Sequence, residues 1–250
     1  MTQSTPNRFI PEAIIIAIAA VVAATVLGNQ LKVIGSGQQT IVVKGLAEKS
    51  VRADQAEWTI SLSVNGATFV EALAKLRKEK PSLDQFLDKA GIDAQSRTDS
   101  SESVEPHLVE EELASGRSRQ VQKGFDAAQT ITISSKDMDK VIAANHAALQ
   151  FEADGHPVSY SSPRFLVSNL EEIKMSLIGA ATRNARTRAD EFAKNGGVTV
   201  GSMRSASQGA FYILPPGSTV ESSEYGGTYD KSTVNKIARV VVTIDYNIER

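Results

Sequence analysis

Residues 57–64 read EWTISLSV, and the pattern of this stretch decides the fold class. Its apolar side chains fall on one side of an extended chain: Trp58, Ile60, Leu62 and Val64. Such strict alternation predicts a β-strand with one buried face and one face in water. The closing stretch 238–249 alternates in the same way, with Val241 as the one exception, and predicts another strand of this kind.

Weaker extended patterns predict the remaining strands. Ile41 and Val43 indicate a short strand ahead of the first one. Residues 98–112 and 121–135 predict an antiparallel pair with a polar first arm. The second arm of this pair has one apolar face, formed by Phe125, Ala127, Ile131 and Ile133. An irregular extended segment is predicted at 158–167, another strand at 198–213, and a long, exposed and mobile loop at 215–232.

Three segments between these strands have the helical period of three to four residues. The first, 69–90, keeps its apolar stripe in phase across Pro81, which predicts one kinked helix with Lys80 in one slot of the stripe. The apolar positions of that stripe are Phe69, Leu73, Leu76, Leu83, Leu87 and Ala90. The second helix is predicted to start at a Ser135 cap and to end at Asp154-Gly155. Its inward residues are predicted to be Met138, Val141, Ile142 and Leu149.

The third helix has the strongest local signals. Ser168 and Glu171 have capping-box spacing, and Gly196-Gly197 follows the end of the helix. Its apolar stripe consists of Leu170, Ile173, Leu177, Ala181, Ala185, Ala189 and Phe192. Three helices packed with largely antiparallel strands predict an α+β domain over residues 40–250.

The amino-terminal segment 9–27 is the clearest shift in composition. Its core, residues 13–27, reads AIIIAIAAVVAATVL, in which Thr25 is the only polar residue. As a helix the whole segment spans about 28 Å, close to the hydrocarbon thickness of a bilayer. We therefore predict a transmembrane signal anchor over 9–27, with a cytoplasmic terminus at 1–8 and a Gly/Ser/Gln-rich tether at 28–39.

A cleaved secretory signal is the alternative interpretation of the same segment. Arg8 precedes the apolar run, and small residues such as Ala23 and Ala24 lie near its end. We favour the anchor because the run is long for a signal core and lacks a clear cleavage site. In a bacterial cell the domain is then periplasmic, either held at the inner membrane by a single helix or soluble after cleavage.

The composition excludes several classes of chemistry. The chain has no cysteine, so disulfides, thiol nucleophiles, iron–sulfur clusters and Cys-ligated zinc are excluded. The 27 basic and 29 acidic residues give a net charge of -2, which provides no electrostatic signal for a nucleic-acid partner.

The three histidines, His107, His146 and His156, are the residues best suited to catalysis or metal binding. No two of them have the i, i+4 spacing of a helical metal pair, and no serine lies in a G-x-S-x-G sequence. The run Glu110-Glu111-Glu112 predicts a solvated strand end, with a cation site as the weaker alternative, because neighbouring carboxylates on a strand point to opposite sides. We therefore predict no catalytic, cofactor-binding or metal-binding residue.

Arg183, Arg186 and Arg188 lie at the polar edge of the third helix. We interpret them as surface residues that pair with Asp190 or Glu191, with a phosphate or lipid-headgroup site as the alternative. Neither the serines at 100–103 nor the glycines of Gly35-Ser36-Gly37 belong to a longer catalytic or phosphate-binding motif.

Several short segments share a pattern of small residues: Val43-Lys44-Gly45, Ala53-Asp54-Gln55-Ala56, Ala90-Gly91-Ile92, Gly124-Phe125-Asp126-Ala127, the helix 180–193, and Gly196-Gly197 with Val200-Gly201. Together, over about residues 40–249, they resemble the SIMPL-domain (DUF541) family, which includes bacterial periplasmic and outer-membrane-associated immunogenic proteins. The resemblance implies an α+β envelope domain that self-associates, in some members into ring- or channel-like assemblies. It also implies an association with stress tolerance, particularly oxidative stress, and no catalytic residue.

Two functional hypotheses follow from these observations. The favoured one is a non-catalytic, membrane-attached envelope protein that forms a homo-oligomer or binds partners, with the terminal strand 238–249 pairing edge-to-edge between subunits. The alternative is a periplasmic ligand-binding protein or hydrolase whose site is assembled from distant residues. A pocket that brings a histidine beside a carboxylate, with a hydroxyl in reach, would be the signature of that alternative.

Overall fold

The protein is described by a computed structural model that covers residues 21–25, 39–112, 116–218 and 227–249. The strands are β1 (Thr40–Arg52), β2 (Gln55–Gly66), β3 (Arg97–Asp99), β4 (Ser103–Glu112), β5 (Ser118–Ser135), β6 (Val158–Tyr160), β7 (Arg164–Leu166), β8 (Thr199–Leu214) and β9 (Asn235–Glu249). The long helices are α1 (Phe69–Lys89), α2 (Met138–Ala153) and α3 (Leu170–Asn195). This order of elements confirms the predicted α+β architecture.

The described chain divides into two compact units. One unit contains the residues up to 45, Thr182–Ser207 and those from Val242 onward; the other contains Leu46–Ala181 and Gln208–Val241. The second unit holds the six-stranded sheet, and β1, β9 and β8 form a separate three-stranded sheet in that order.

The six-stranded sheet is built around β2. On one side β2 pairs with β5 in an antiparallel register that joins Trp58 to Ile133 and Ile60 to Ile131. On its other side β2 pairs with β6 and β7, while β3 and β4 pair with β5. The predicted buried face of β2 is confirmed, since Trp58, Ile60 and Leu62 are at most 1% exposed.

Helices α1 and α2 pack against this sheet. Helix α1 contacts β2 and β5, and α2 contacts β2. Their fully buried residues are Ala72, Leu76, Leu83 and Leu87 of α1 and Val141, Ala144 and Ala148 of α2. Helix α1 is continuous through Pro81, as predicted, and Lys80 lies in its predicted slot, where its ammonium pairs with Asp84 at 2.6 Å and Asp99 at 2.9 Å.

The starts of α2 and α3 differ from the predicted caps. Asp137, and not Ser135, is the N-cap of α2, because its carboxylate accepts a hydrogen bond from the N–H of Lys140 at 3.3 Å. Ahead of α3, the hydroxyl of Ser168 donates to the carboxylate of Asp54, and the helix begins two residues later. A short hydroxyl side chain satisfies whichever partner lies nearest, so capping patterns alone do not determine a helix start.

Three residues predicted to lie on the apolar faces of the helices are exposed instead, and one of them is Phe69, the first residue of α1, which is 49% exposed. Leu149 of α2 and Phe192 of α3 are each 65% exposed, and the neighbouring Ala148 and Ala193 are buried. Alanines on the inner side let a helix lie close to the surface on which it packs, so a large side chain one position away is left in water.

The terminal strand β9 is the central strand of its sheet. It lies between β1 and β8, so both of its sides are paired with strands of the same chain. The prediction that this strand pairs edge-to-edge between subunits is therefore wrong, because a strand pairs with another subunit only where one side is unoccupied.

The predicted anchor 9–27 and tether 28–39 lie largely outside the described residues. Residues 21–25 are helical, and the carbonyl of Gln39 accepts a hydrogen bond from the N–H of Ile248 at 2.9 Å, so the sheet begins where the tether was predicted to end. In the part of the chain that the structure describes, no helix has the length and apolar character needed to cross a bilayer. The anchor stays a prediction.

Gly124 and Gly155 both have positive φ, but only Gly124 also lies too close to another segment to accept a side chain. Gly124 has φ of +109°, and a Cβ there would lie 2.5 Å from the carbonyl oxygen of Gly66. Gly155 has φ of +97°, but its Cβ would meet no atom within 4 Å.

We expect Gly124→Ala to lower the free energy of unfolding by about 3 kcal/mol or more, from backbone strain and overpacking together. Gly155→Ala should cost about 1–2 kcal/mol, from strain alone. Urea unfolding followed by circular dichroism measures both, and equal losses would contradict the packing argument.

Candidate functional site

The first half of β8 is an open strand edge. Because the sheet has the order β1, β9, β8, one side of β8 pairs with β9 and its other side is an edge. Residues Ser202–Gly209 are all exposed, on both faces of the strand. Within the described ranges no strand pairs with the outer side of this stretch, and its free N–H and C=O groups can pair with another strand.

The second half of the same edge is covered by residues 227–230. The N–H of Ile213 donates to the carbonyl of Thr228, and the N–H of Asp230 donates to the carbonyl of Ile213, both at 2.8 Å. These bonds form a parallel bridge between Ile213 and Tyr229. The prediction of an exposed loop over 215–232 is therefore wrong for residues 227–230, which are half-buried and hydrogen-bonded.

A buried ion pair attaches this segment to the start of β9. The side chain of Lys236 is fully buried, and its ammonium donates to the carbonyl of Asp230 at 2.6 Å and to its carboxylate at 3.2 Å. Burial raises the pKa of Asp230, but hydrogen bonds from Thr233, Ser232 and Lys236 outweigh this effect and hold that pKa well below its ordinary value. The carboxylate is therefore charged at neutral pH and neutralises the buried ammonium.

A groove of about 430 Å³ lies between the C-terminal halves of α1 and α2. The rings of Phe86 and Phe151, which line the groove, stack directly on each other with centroids 4.5 Å apart, and the ring of His156 stacks on Phe151 at 4.0 Å. The Nδ1 atom of His156 lies 3.3 Å from a carboxylate oxygen of Glu79. Ser82 lines the same groove, but no hydrogen bond in the described chain joins its hydroxyl to His156. The histidine and the carboxylate of the alternative hypothesis are thus brought together, without the link to a nucleophile.

The other two histidines lie elsewhere. His107 is on β4, where the pairing with β5 shifts by a β-bulge, and its Nδ1 lies 2.7 Å from a carboxylate oxygen of Asp126. That hydrogen bond, with one from Asn65, lowers the pKa of Asp126. His146 is exposed on α2. Among the residues that the structure describes, no three His, Asp or Glu side chains form a group that could hold a metal ion.

The glutamate run lies at the end of β4, in agreement with the prediction of a strand end. Glu110 and Glu112 are exposed, while Glu111 points to the other face of the strand. Its carboxylate pairs across the hairpin with Lys123 at 2.9 Å and with Arg119 at 3.4 Å. These cations lower the pKa of Glu111.

The arginines of α3 make contacts within their own unit. Arg186 pairs with Asp190 at 3.0 Å, which confirms the predicted pairing, and it also donates to the carbonyls of Val200 and Gly201 on β8. Arg188 donates to the carbonyl of Lys44 on β1 at 3.1 Å. Both side chains therefore attach the helix to strands.

The sequence that forms these strands and helices matches one known family. The family described as SIMPL, protein of unknown function (DUF541), matches residues 41–244, well over half of the chain. The chain belongs to the SIMPL family. The matched region runs from β1 into β9, in agreement with the extent of the resemblance seen in the sequence. No curated protein matches the chain.

The small-residue segments of the SIMPL domain have structural causes. Gly124 has positive φ and lies against the carbonyl of Gly66, and Gly91, with φ of +73°, follows the end of α1. Asp54, between β1 and β2, accepts hydrogen bonds from the N–H and the hydroxyl of Ser168. In this chain these segments are points where the backbone turns or approaches itself closely, which gives them a structural role.

Sequence reasoning missed two features of this SIMPL domain. Lys236 lies on the same buried face of β9 as Ala238 and Val240. The alternation of the strand, extended back by one position, therefore could have predicted that the Lys236 ammonium is buried. The aromatic pair of the groove also had a signal, because the dipeptide Gln-Phe occurs at 85–86 and again at 150–151.

We expect Asp230→Asn to lower the free energy of unfolding by about 3–5 kcal/mol, because it leaves a buried ammonium without its counter-charge. The pKa of Asp230 is depressed in the folded SIMPL domain, so the carboxylate stabilises fully above its unfolded pKa of about 4 and loses this effect as the pH falls below that value. Denaturant unfolding should therefore show a steeper loss of stability between about pH 5 and pH 2 for the natural chain than for the variant. Parallel losses would contradict the assignment, and Asp139→Asn, at an exposed position, serves as the control.

Proposed function

We propose that this SIMPL protein is a non-catalytic component of the bacterial cell envelope that acts by self-assembly through the open edge of β8. The observation that carries the proposal is the exposure of Ser202–Gly209 on both faces of an edge strand. An edge of this kind can bind a further strand by main-chain hydrogen bonds. The sequence analysis expected β9 to make an edge-to-edge contact between subunits, and we now propose that β8 makes a contact of this kind.

The two edges of the three-stranded sheet differ in their protection. Natural edge strands usually carry charges, prolines or bulges that block pairing with other chains. The edge strand β1 fits this rule with four charged residues: Lys44, Glu48, Lys49 and Arg52. In the longer β8, Arg204 is the only charged residue and there is no proline. The contrast supports β8 as an edge that pairs.

The side chains of β8 favour a second copy of the same chain as the partner. Two β8 strands in an antiparallel pair are related by a two-fold axis, so each strand meets the same small side chains that it presents. The open stretch consists mainly of serine, alanine and glycine, which fit against one another without steric conflict. Pairing would join two three-stranded sheets into one continuous six-stranded sheet.

The location in the envelope is proposed from segment 9–27. Its length matches the bilayer, and Arg8 ahead of it favours a cytoplasmic amino terminus and a periplasmic domain. Attachment to one membrane raises the local concentration of the domains, which favours weak contacts between copies. A role in stress tolerance belongs to the proposal and rests on the family resemblance alone.

We expect residues 38–250, which lack the predicted anchor, to form dimers or larger assemblies in size-exclusion chromatography with light scattering. The double variant Ser205→Lys, Ser207→Lys should be monomeric, because two identical edges that carry added like charges repel each other. The matched control Ser205→Ala, Ser207→Ala removes the same hydroxyls without adding charge and should assemble like the natural domain.

Two results would contradict this proposal. A strict monomer at high protein concentration would exclude self-assembly of the domain. An assembly that persists in the lysine variant, with unchanged circular dichroism, would exclude the β8 edge as the contact.

The envelope location has its own test. We expect the full-length chain to fractionate with membranes, and mass spectrometry of its amino terminus to find the segment 9–27 still present. A mature terminus that begins after residue 27 would favour the cleaved signal, and the intact chain in the cytosol would contradict export.

A further inference from the structure

We infer that the groove between α1 and α2 is a binding site for a free aromatic α-amino acid. The inference goes beyond self-assembly and concerns residues of the larger unit alone. It stands on three properties of the groove walls: a matched arrangement on the two helices, a stack of aromatic rings, and two opposite charges that do not pair.

The two helices present the same arrangement of side chains to the groove. Helix α1 contributes Gln85, Phe86 and Lys89, and the C-terminal end of α2 contributes Gln150, Phe151 and Asp154, at identical spacing. The amides and the rings therefore occur in pairs, one from each wall. The third position differs, because it is a cation on one wall and an anion on the other.

The aromatic stack indicates a planar ligand. Phe86, Phe151 and His156 form a row of nearly parallel rings, with interplanar angles of 19° and 13°. The contact of His156 with Glu79 holds the imidazole in this row. A further flat ring can join this row at one of its ends, on Phe86 or on His156, and there it gains stacking and apolar burial that an aliphatic side chain gains only in part.

The charges indicate a ligand that is both cationic and anionic. Lys89 forms no ion pair with any described residue, Asp154 included. Asp154 accepts one hydrogen bond, from the amide of Gln150 at 2.8 Å, which leaves one carboxylate oxygen for a second donor. A zwitterion satisfies both walls at once, with its carboxylate on the Lys89 ammonium and its own ammonium on Asp154.

The position of Asp154 strengthens the cation half of this site. It is the C-cap of α2, so a bound ammonium lies next to the negative end of the helix dipole. The groove volume of about 430 Å³ is in the range of small-molecule sites. A free amino acid fits these requirements, whereas a residue inside a peptide lacks both charges.

The test uses L-tryptophan as the probe and the full-length chain in mild detergent. We expect saturable binding by isothermal titration calorimetry, and binding at least about tenfold weaker for three analogues, each of which lacks one feature. Tryptamine lacks the carboxylate, N-acetyl-L-tryptophan lacks the ammonium, and L-leucine lacks the ring.

Two exposed substitutions assign each charge to its wall. Lys89→Gln should weaken L-tryptophan by about tenfold and should not weaken tryptamine, because tryptamine has no carboxylate for the lysine to bind. Asp154→Asn should weaken L-tryptophan and should not weaken N-acetyl-L-tryptophan, which has no ammonium for the aspartate to bind. Lys78→Gln on α1 and Asp139→Asn on α2 are matched controls outside the groove and should bind like the natural chain.

The inference is overturned if L-tryptophan shows no saturation up to about 10 mM, which is about ten times the dissociation constant of a weak, 1 mM ligand. It is also overturned if both groove variants bind L-tryptophan like the natural chain. Since neither residue lies on β8, light scattering on the same variants separates a failure of this site from a failure of self-assembly.

Discussion

A fully buried ammonium requires a negative partner. In the SIMPL domain Asp230 is the partner of the buried Lys236, and this ion pair determines the path of the chain ahead of β9. An uncompensated buried charge costs several kcal/mol, so the chain has to bring Asp230 back to the start of β9. In this position the neighbouring carbonyls accept hydrogen bonds from Ala53 and Phe165, and the Tyr229 hydroxyl accepts one from Val167. One electrostatic requirement thereby joins the start of β9 to the β1–β2 turn and to β7.

The same requirement explains why β8 is covered at one end and open at the other. The returning segment reaches the outer side of β8 at Ile213 and ends there in the ion pair. The stretch Ser202–Gly209 is left with main-chain groups that bond to water or to another strand. Each main-chain hydrogen bond exchanged in this way contributes only about 0.5–1.5 kcal/mol, so pairing of such an edge is reversible. The predicted attachment to a membrane would raise the local concentration of copies, which favours a contact of this kind.

Alternation and helical periodicity predicted the elements of this domain well, because an element that is buried on one side repeats its apolar residues at a short, fixed spacing. The strand around Trp58, the helix through Pro81 and the closing strand are all present. Strand order was not predictable in this way, because it depends on which distant segments pair, and β9 alternates equally well as an edge or as a central strand. Cap assignments failed at Ser135 and Ser168 because a serine hydroxyl bonds to whichever partner lies within reach. The Ser135 hydroxyl accepts from the N–H of Asp137 just ahead of the helix, and the Ser168 hydroxyl donates to the distant Asp54.

The histidines show how far the candidate site could be predicted. From the sequence, all three histidines are equally good candidates for a functional site. The fold distinguishes His156, because it places this ring beside a carboxylate and in an aromatic row. A general base has to direct one ring nitrogen to the group that it deprotonates. Here Nδ1 meets Glu79, one ring face covers Phe151, and the Ser82 hydroxyl forms no bond to the imidazole. These contacts orient a ring in a groove wall, which is what recognition of a flat ligand needs. A binding role for the groove therefore agrees with the self-assembly proposed for the β8 edge, which would also proceed through reversible contacts.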